Sequence, residues 1–223
     1  MKRRCMTIAA LVCLSIAAEQ SARADSFDVR PITIETRDGM GLVVVTNSGE
    51  RRIYLESQVL DWSQDGSGAE HVVESETALA SPPAMWVPPR SSYTMRIRLP
   101  PGSADVERAF RVMIKQLPER SEVVGGRVVF ALTQNLPAFV VPPNPSAPVL
   151  TARIMDPRRV LIQNAGGRRA RLTKITQDGH VLASGLIGYA LARGGLAVPL
   201  VSPIHAGTLD VETDVGHRDI SVR

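Results

Sequence analysis

The sequence predicts an all-β protein built as two β-sandwich domains joined by a proline-rich hinge. Three observations carry this. Short apolar–polar alternations fill the chain, punctuated by Gly and Pro, as in sandwich folds. Pro142-Pro143-Asn144-Pro145-Ser146-Ala147-Pro148 holds four prolines in seven residues and cannot donate to a sheet. The first 24 residues read as an export leader, so the 223-residue chain works as a shorter mature form.

The leader has a basic start (Lys2, Arg3, Arg4), a mostly apolar run from Thr7 to Ala18, and Ala22-Arg23-Ala24 before Asp25. The run is short for a membrane span. Leu11-Val12-Cys13 lacks the small residues that precede a lipidated cysteine. Cleavage after Ala24 removes four basic residues and Glu19, so totals of 26 basic and 22 acidic residues become 22 and 21. A mature net charge of +1 gives no broad positive field for nucleic acid. Both cysteines, Cys5 and Cys13, leave with the leader, so no disulfide is expected.

The strands are expected in the following order. Phe27 and Val29, then Ile32 and Ile34, form a first strand broken at Pro31. Gly41 to Thr46 is a continuous apolar run, hence a buried strand, turning at Asn47-Ser48-Gly49. Ile53 to Trp62, then Tyr93, Met95, Ile97 and Leu99, alternate with period two. Ala109 to Leu117 is closed by Pro118, and a short helix is expected around Ser103 to Arg108. Val128 to Val141 is the longest candidate, up to 14 residues. A boundary at 142–148 leaves 25–141 and 149–223 as domains of ordinary size. The second holds Val149 to Met155, Arg159 to Gln163, Ala170 to Thr176, two or more strands within Val181 to Leu200, Thr208 to Thr213, and Asp219 to Val222. No internal repeat is visible.

Chemistry is sparse. His71, His180, His205 and His217 are scattered singly, without metal-ligand spacing. Neither G-x-S-x-G nor H-E-x-x-H occurs. Asp214, His217 and Asp219 are close in sequence and read as a polar hairpin. Trp62 and Trp86 read as packing residues. No catalytic residue, metal or cofactor is expected. One feature stands out. Val128, Phe130 and Leu132 alternate, with Leu136 following, in a strand long for a small sandwich. At a sheet edge, such a row is a template for another chain.

The chain resembles the PapD-like pilus chaperones, including the archaic, spore-coat-like branch. The matching pieces are Val43 to Gly49, Val59-Leu-Asp-Trp62, Ala80-Ser-Pro-Pro83, Met95-Arg96-Ile97, Phe110 to Pro118, Pro137-Ala-Phe-Val-Val-Pro142, Val160 to Gly166 and Gly185 to Ala192. The resemblance implies immunoglobulin-like sandwiches and a non-enzymatic periplasmic role in fimbrium biogenesis. The chaperone lends its long edge strand to a pilus subunit and delivers that subunit to an outer-membrane usher. The donated side chains fall on Val128, Phe130 and Leu132. Members of the family hold the subunit's C-terminal carboxylate with an Arg and a Lys. Thr33 and Pro137 occupy those positions here, and Arg96 and Lys115 are the substitutes. The Arg that often precedes the hinge proline is Val141, so the interdomain ion cluster is not expected in its usual form, although Asp214 matches its acidic member. Pro118 and Val128 are only about nine residues apart, as in chaperones of rod-like pili. The resemblance also implies a cis Ser81-Pro82 bond. No membrane insertion follows leader cleavage, and the free edge could also pair with a second copy. The alternatives are a secreted structural pilus or matrix protein and a β-sandwich binding module.

Overall fold

The computed structural model describes residues 27–118 and 131–223. The segment 1–24 expected to be a leader, Val128 and Phe130 lie outside the described residues. Among the described residues there is no helix.

Two sheets face each other in the first half. One has four strands in the order β1-β3-β8-β6: β1 (Phe27–Arg30), β3 (Met40–Asn47), β8 (Ser91–Arg98) and β6 (Leu79–Ser81). The other runs β2-β10-β9-β4-β5, with β7 also paired to β4. Its strands are β2 (Ile34–Thr36), β10 (Thr133–Val140), β9 (Arg108–Leu117), β4 (Ile53–Gln64), β5 (Glu70–Glu74) and β7 (Ala84–Val87). Side chains two apart share a face. Ile53, Leu55 and Val59 of β4 therefore meet Phe110, Val112 and Ile114 of β9 and Val43, Val45, Met95 and Ile97 of the facing sheet in one buried core.

The second half is one hydrogen-bonded ladder, β14-β13-β16-β17-β11-β12-β15, wrapped around its own core. It comprises β11 (Leu150–Asp156), β12 (Arg159–Asn164), β13 (Ala170–Gln177), β14 (His180–Ala190), β15 (Gly195–Pro199), β16 (Gly207–Thr213) and β17 (Gly216–Val222). A single register pair, Ala152 with Val222, joins β11 to β17, so the ladder bends there into two layers.

Three expectations need correction. Gly41 to Thr46 is buried on one face only: Val43 and Val45 are enclosed, while Leu42 and Val44 look outward and are exposed. The helix around Ser103 is absent. The Ser103 hydroxyl accepts the Val106 N–H instead, and the segment is too short to sustain helix nucleation. Ile32 is exposed, cut off from β1 by Pro31. The Ser81–Pro82 bond is cis, as is Arg30–Pro31.

Candidate functional site

β10 is asymmetrically paired. On one side it runs antiparallel to β9 along its whole length, from Thr133 opposite Lys115 to Val140 opposite Arg108. The Gln116 N–H donates to Leu132 O, so pairing with β9 begins just before the strand. On the other side the three-residue β2 pairs in parallel with Ala138, Phe139 and Val140 only. Among the described residues, Thr133 to Pro137 have no strand on that side. Pro137 fits there, because an edge strand tolerates a missing N–H.

The side chains of β10 follow the pleat. Leu136, Ala138 and Val140 enter the first core. Leu136 is 4% exposed and so belongs to the protein's own interior rather than to a free row, contrary to the sequence expectation. Leu132 sits on the same side by period two but lies beyond the end of the core and is 36% exposed. One face of β10 is thus core at its C-terminal end and overhang at its N-terminal end.

The opposite face looks onto the second half of the molecule. Trp62, Phe139, Tyr189 and Leu191 form a buried cluster across the junction. The Phe139 and Tyr189 ring centroids are 5.4 Å apart, and Trp62 meets Tyr189 edge-on at 5.9 Å. Arg111, cross-strand from Pro137, places its guanidinium 3.5 Å from the Trp62 ring centroid. Its ion partner Glu70 is distant, at 3.9 Å. Burial lowers the Arg111 pKa, with Glu70 opposing. Lys115 is exposed on the same face, between Glu56 of β4 and Thr133 of β10. Arg96 is elsewhere: it lies between Leu42 and Ser81 on the outward face of the four-stranded sheet. The two basic substitutes are not brought together.

An ion cluster does bridge the halves, on residues the sequence did not nominate. The Arg169 Nη1 lies 2.6 Å from the Glu107 Oε2, with both side chains almost wholly buried. The Arg169 backbone N–H donates to the Glu107 Oε1, and its Nη2 pairs with Glu35. Arg168 adds longer contacts to both carboxylates. The Arg169 guanidinium also stacks 3.6 Å from the Phe139 ring centroid. Burial raises the Glu107 pKa, against the pull of Arg169. Asp214, the expected acidic member, instead accepts the Arg171 N–H within the second half. No periodicity marks Glu35 and Glu107; adjacent Arg168 and Arg169 after two glycines was the only signal.

The β4–β5 turn completes the junction. The Gln64 side chain donates to Tyr189 O and accepts from Leu191 N, closing two backbone groups of the other half. Gly68 has φ +83°, and a Cβ there would come within 2.6 Å of Ala197 N. Asp65 shapes the turn by accepting from Ser67, His71 and Ala69, which together hold its carboxyl far below the usual carboxylate range.

Residues 30–146 match the pili and flagellar-assembly chaperone family, PapD N-terminal domain, over more than half of the chain. The chain belongs to that family. Solved structures share its two-domain β-sandwich fold. The CsuC–CsuE chaperone–tip adhesion subunit pre-assembly complex, from archaic chaperone-usher Csu pili of Acinetobacter baumannii, aligns at TM-score 0.72 and 18% identity, covering 89% of this chain and 99% of that one. The Salmonella enterica SafA pilin complex with the SafB chaperone aligns at 0.65 and 15%, covering 90% and 98%. The E. coli chaperone DraB aligns at 0.61 and 16%, covering 90% and 97%. A search of curated proteins finds no match.

Proposed function

We propose that this chain is a periplasmic, non-catalytic chaperone that captures pilus subunits by lending them β10, then passes them to an outer-membrane usher. The half-free edge of β10 carries the reading, with Leu132 overhanging the core on the face that Leu136 buries. Thr133 to Pro137 supply backbone pairing that is indifferent to sequence. Val128, Phe130 and Leu132 set the register by filling a subunit's apolar groove. Arg111 and Lys115, on the face toward the junction, hold the subunit's terminal carboxylate. A half-buried guanidinium with a distant partner gains most from a new anion. The mature chain begins at Asp25, with domains over 25–141 and 149–223 about the linker 142–148.

Phe130→Glu tests the donor strand. Loss of co-purification with the cognate subunit at an unchanged melting temperature is the expected result. A variant that unfolds places Phe130 in the protein's own core and ends the reading. Arg111→Gln and Lys115→Gln test the anchor separately: the pair should weaken capture at least tenfold, and normal capture by both places the carboxylate elsewhere.

A further inference from the structure

We propose that the outward face of the four-stranded sheet is a docking surface for an anionic lipid bilayer. Met40, Leu42 and Val44 stand in one column on β3, with Leu79 two strands away; they are 51%, 59%, 38% and 49% exposed. The column is about 13 Å long at ~3.3 Å per residue. Arginines flank it on both sides. Arg30 lies beside Val44 on β1, Arg96 beside Leu42 and Arg98 beside Met40 on β8. Among the described residues none of these three arginines forms an ion pair. Asp28, beside Thr46 at the far end, is the one acidic residue at the outward positions of these four strands.

The chemistry favours a bilayer. β3 and β8 are hydrogen-bonded on both sides, so the middle of the face offers no backbone to an added strand. The exposed face supplies what an anionic interface takes: apolar side chains that sink to the acyl boundary and guanidiniums that meet phosphates. A second copy would set arginine against arginine. Contact through this face leaves the free edge of β10, in the other sheet, open to solvent. Vesicle binding is read without any subunit, so it stands or falls apart from the chaperone reading.

The test is co-sedimentation of the chain lacking residues 1–24, whose apolar run would itself enter lipid, with sucrose-loaded vesicles. Vesicles of three parts phosphatidylglycerol to seven of phosphatidylcholine are compared with pure phosphatidylcholine. The expected result is a preference for the anionic vesicles that salt weakens. Arg96→Glu with Arg98→Glu should lower it more than tenfold, at roughly fivefold per arginine. Leu42→Asp should lower it as well, while Val73→Asp, an exposed valine on β5, should not. Each variant is first checked for an unchanged melting temperature. Indifference to phosphatidylglycerol overturns the proposal. Equal loss from Val73→Asp and Leu42→Asp also overturns it, since binding would then be unspecific.

Discussion

The two sandwiches turn the same corner with the same residue and use it differently. Asn47 ends β3 and Asn164 ends β12, and both are buried. The Asn47 Nδ2 lies 2.7–3.1 Å from the carbonyls of Arg51, Val87 and Pro88, and its Oδ1 accepts the Gly49 N–H. The Asn164 Nδ2 lies 2.8–3.1 Å from the carbonyls of Arg168, Ala190 and Leu191, and its Oδ1 accepts the Gly166 N–H. Ser48, Glu50 and Arg51, in the turn after Asn47, are exposed. The turn after Asn164 carries the junction: Glu107 N donates to Gly167 O, and Gly167 N donates to the Ser146 hydroxyl. A Cβ on Gly166 would lie 2.1 Å from Ala147 O, and one on Gly167 2.2 Å from Asp105 O. One cap closes a domain; the other closes a domain and joins it to its neighbour.

On that contrast, Asn164→Ala is the most damaging change. It strips partners from carbonyls and from the Gly166 and Val149 N–H groups beneath the linker, where water cannot readily replace them. A loss of about 4 kcal/mol is expected in denaturant unfolding. Arg169→Ala should cost about 3 kcal/mol by leaving Glu107 buried without its main partner. It should also split a single melting transition into two. One cooperative transition in this variant would show that the aromatic cluster alone couples the halves. Asn47→Ala should cost less, about 2 kcal/mol, because only its bond to Val87 O is fully buried, whereas three of the five bonds of Asn164 are. Equal losses at Asn47 and Asn164 would erase the distinction. Glu107→Gln should be the mildest, below about 1 kcal/mol. Its folded pKa is raised by burial, so the stability it contributes is full below its unfolded pKa and fades as pH rises through the folded one. The Gln variant should lack that decline in a stability–pH series.

Period-two alternation exposed most of the fold. Ile53 to Val59 and Met95 to Leu99 declare their buried faces outright, and the prolines of 142–148 mark a segment that no strand enters. The short strands β5 to β7 did not show: all five residues of β5 are exposed, and the three and four residues of β6 and β7 on either side of Pro82 and Pro83 carry too little periodicity. Alternation also gave Leu132 and Leu136 one face, but where the core stops depends on the facing sheet, so it could not separate them. The Glu107–Arg169 pair joins residues 62 apart and leaves no local pattern. The repeated asparagine corner was present as Thr46-Asn47-Ser48-Gly49 and Gln163-Asn164-Ala165-Gly166. Only the shared hydrogen bonds make those fragments recognisably equivalent.

The shared face of β10 has a mechanical consequence. Leu136, Ala138 and Val140 are indexed into the first core, and Leu132 extends the same row past its rim. A slip of one residue against β9 would turn every one of these side chains to the opposite face. The overhang cannot shift phase unless the domain gives up three buried anchors. The strand therefore behaves as a ruler clamped at one end. Whatever reads its free graduations inherits an alignment already checked by the protein's own folding.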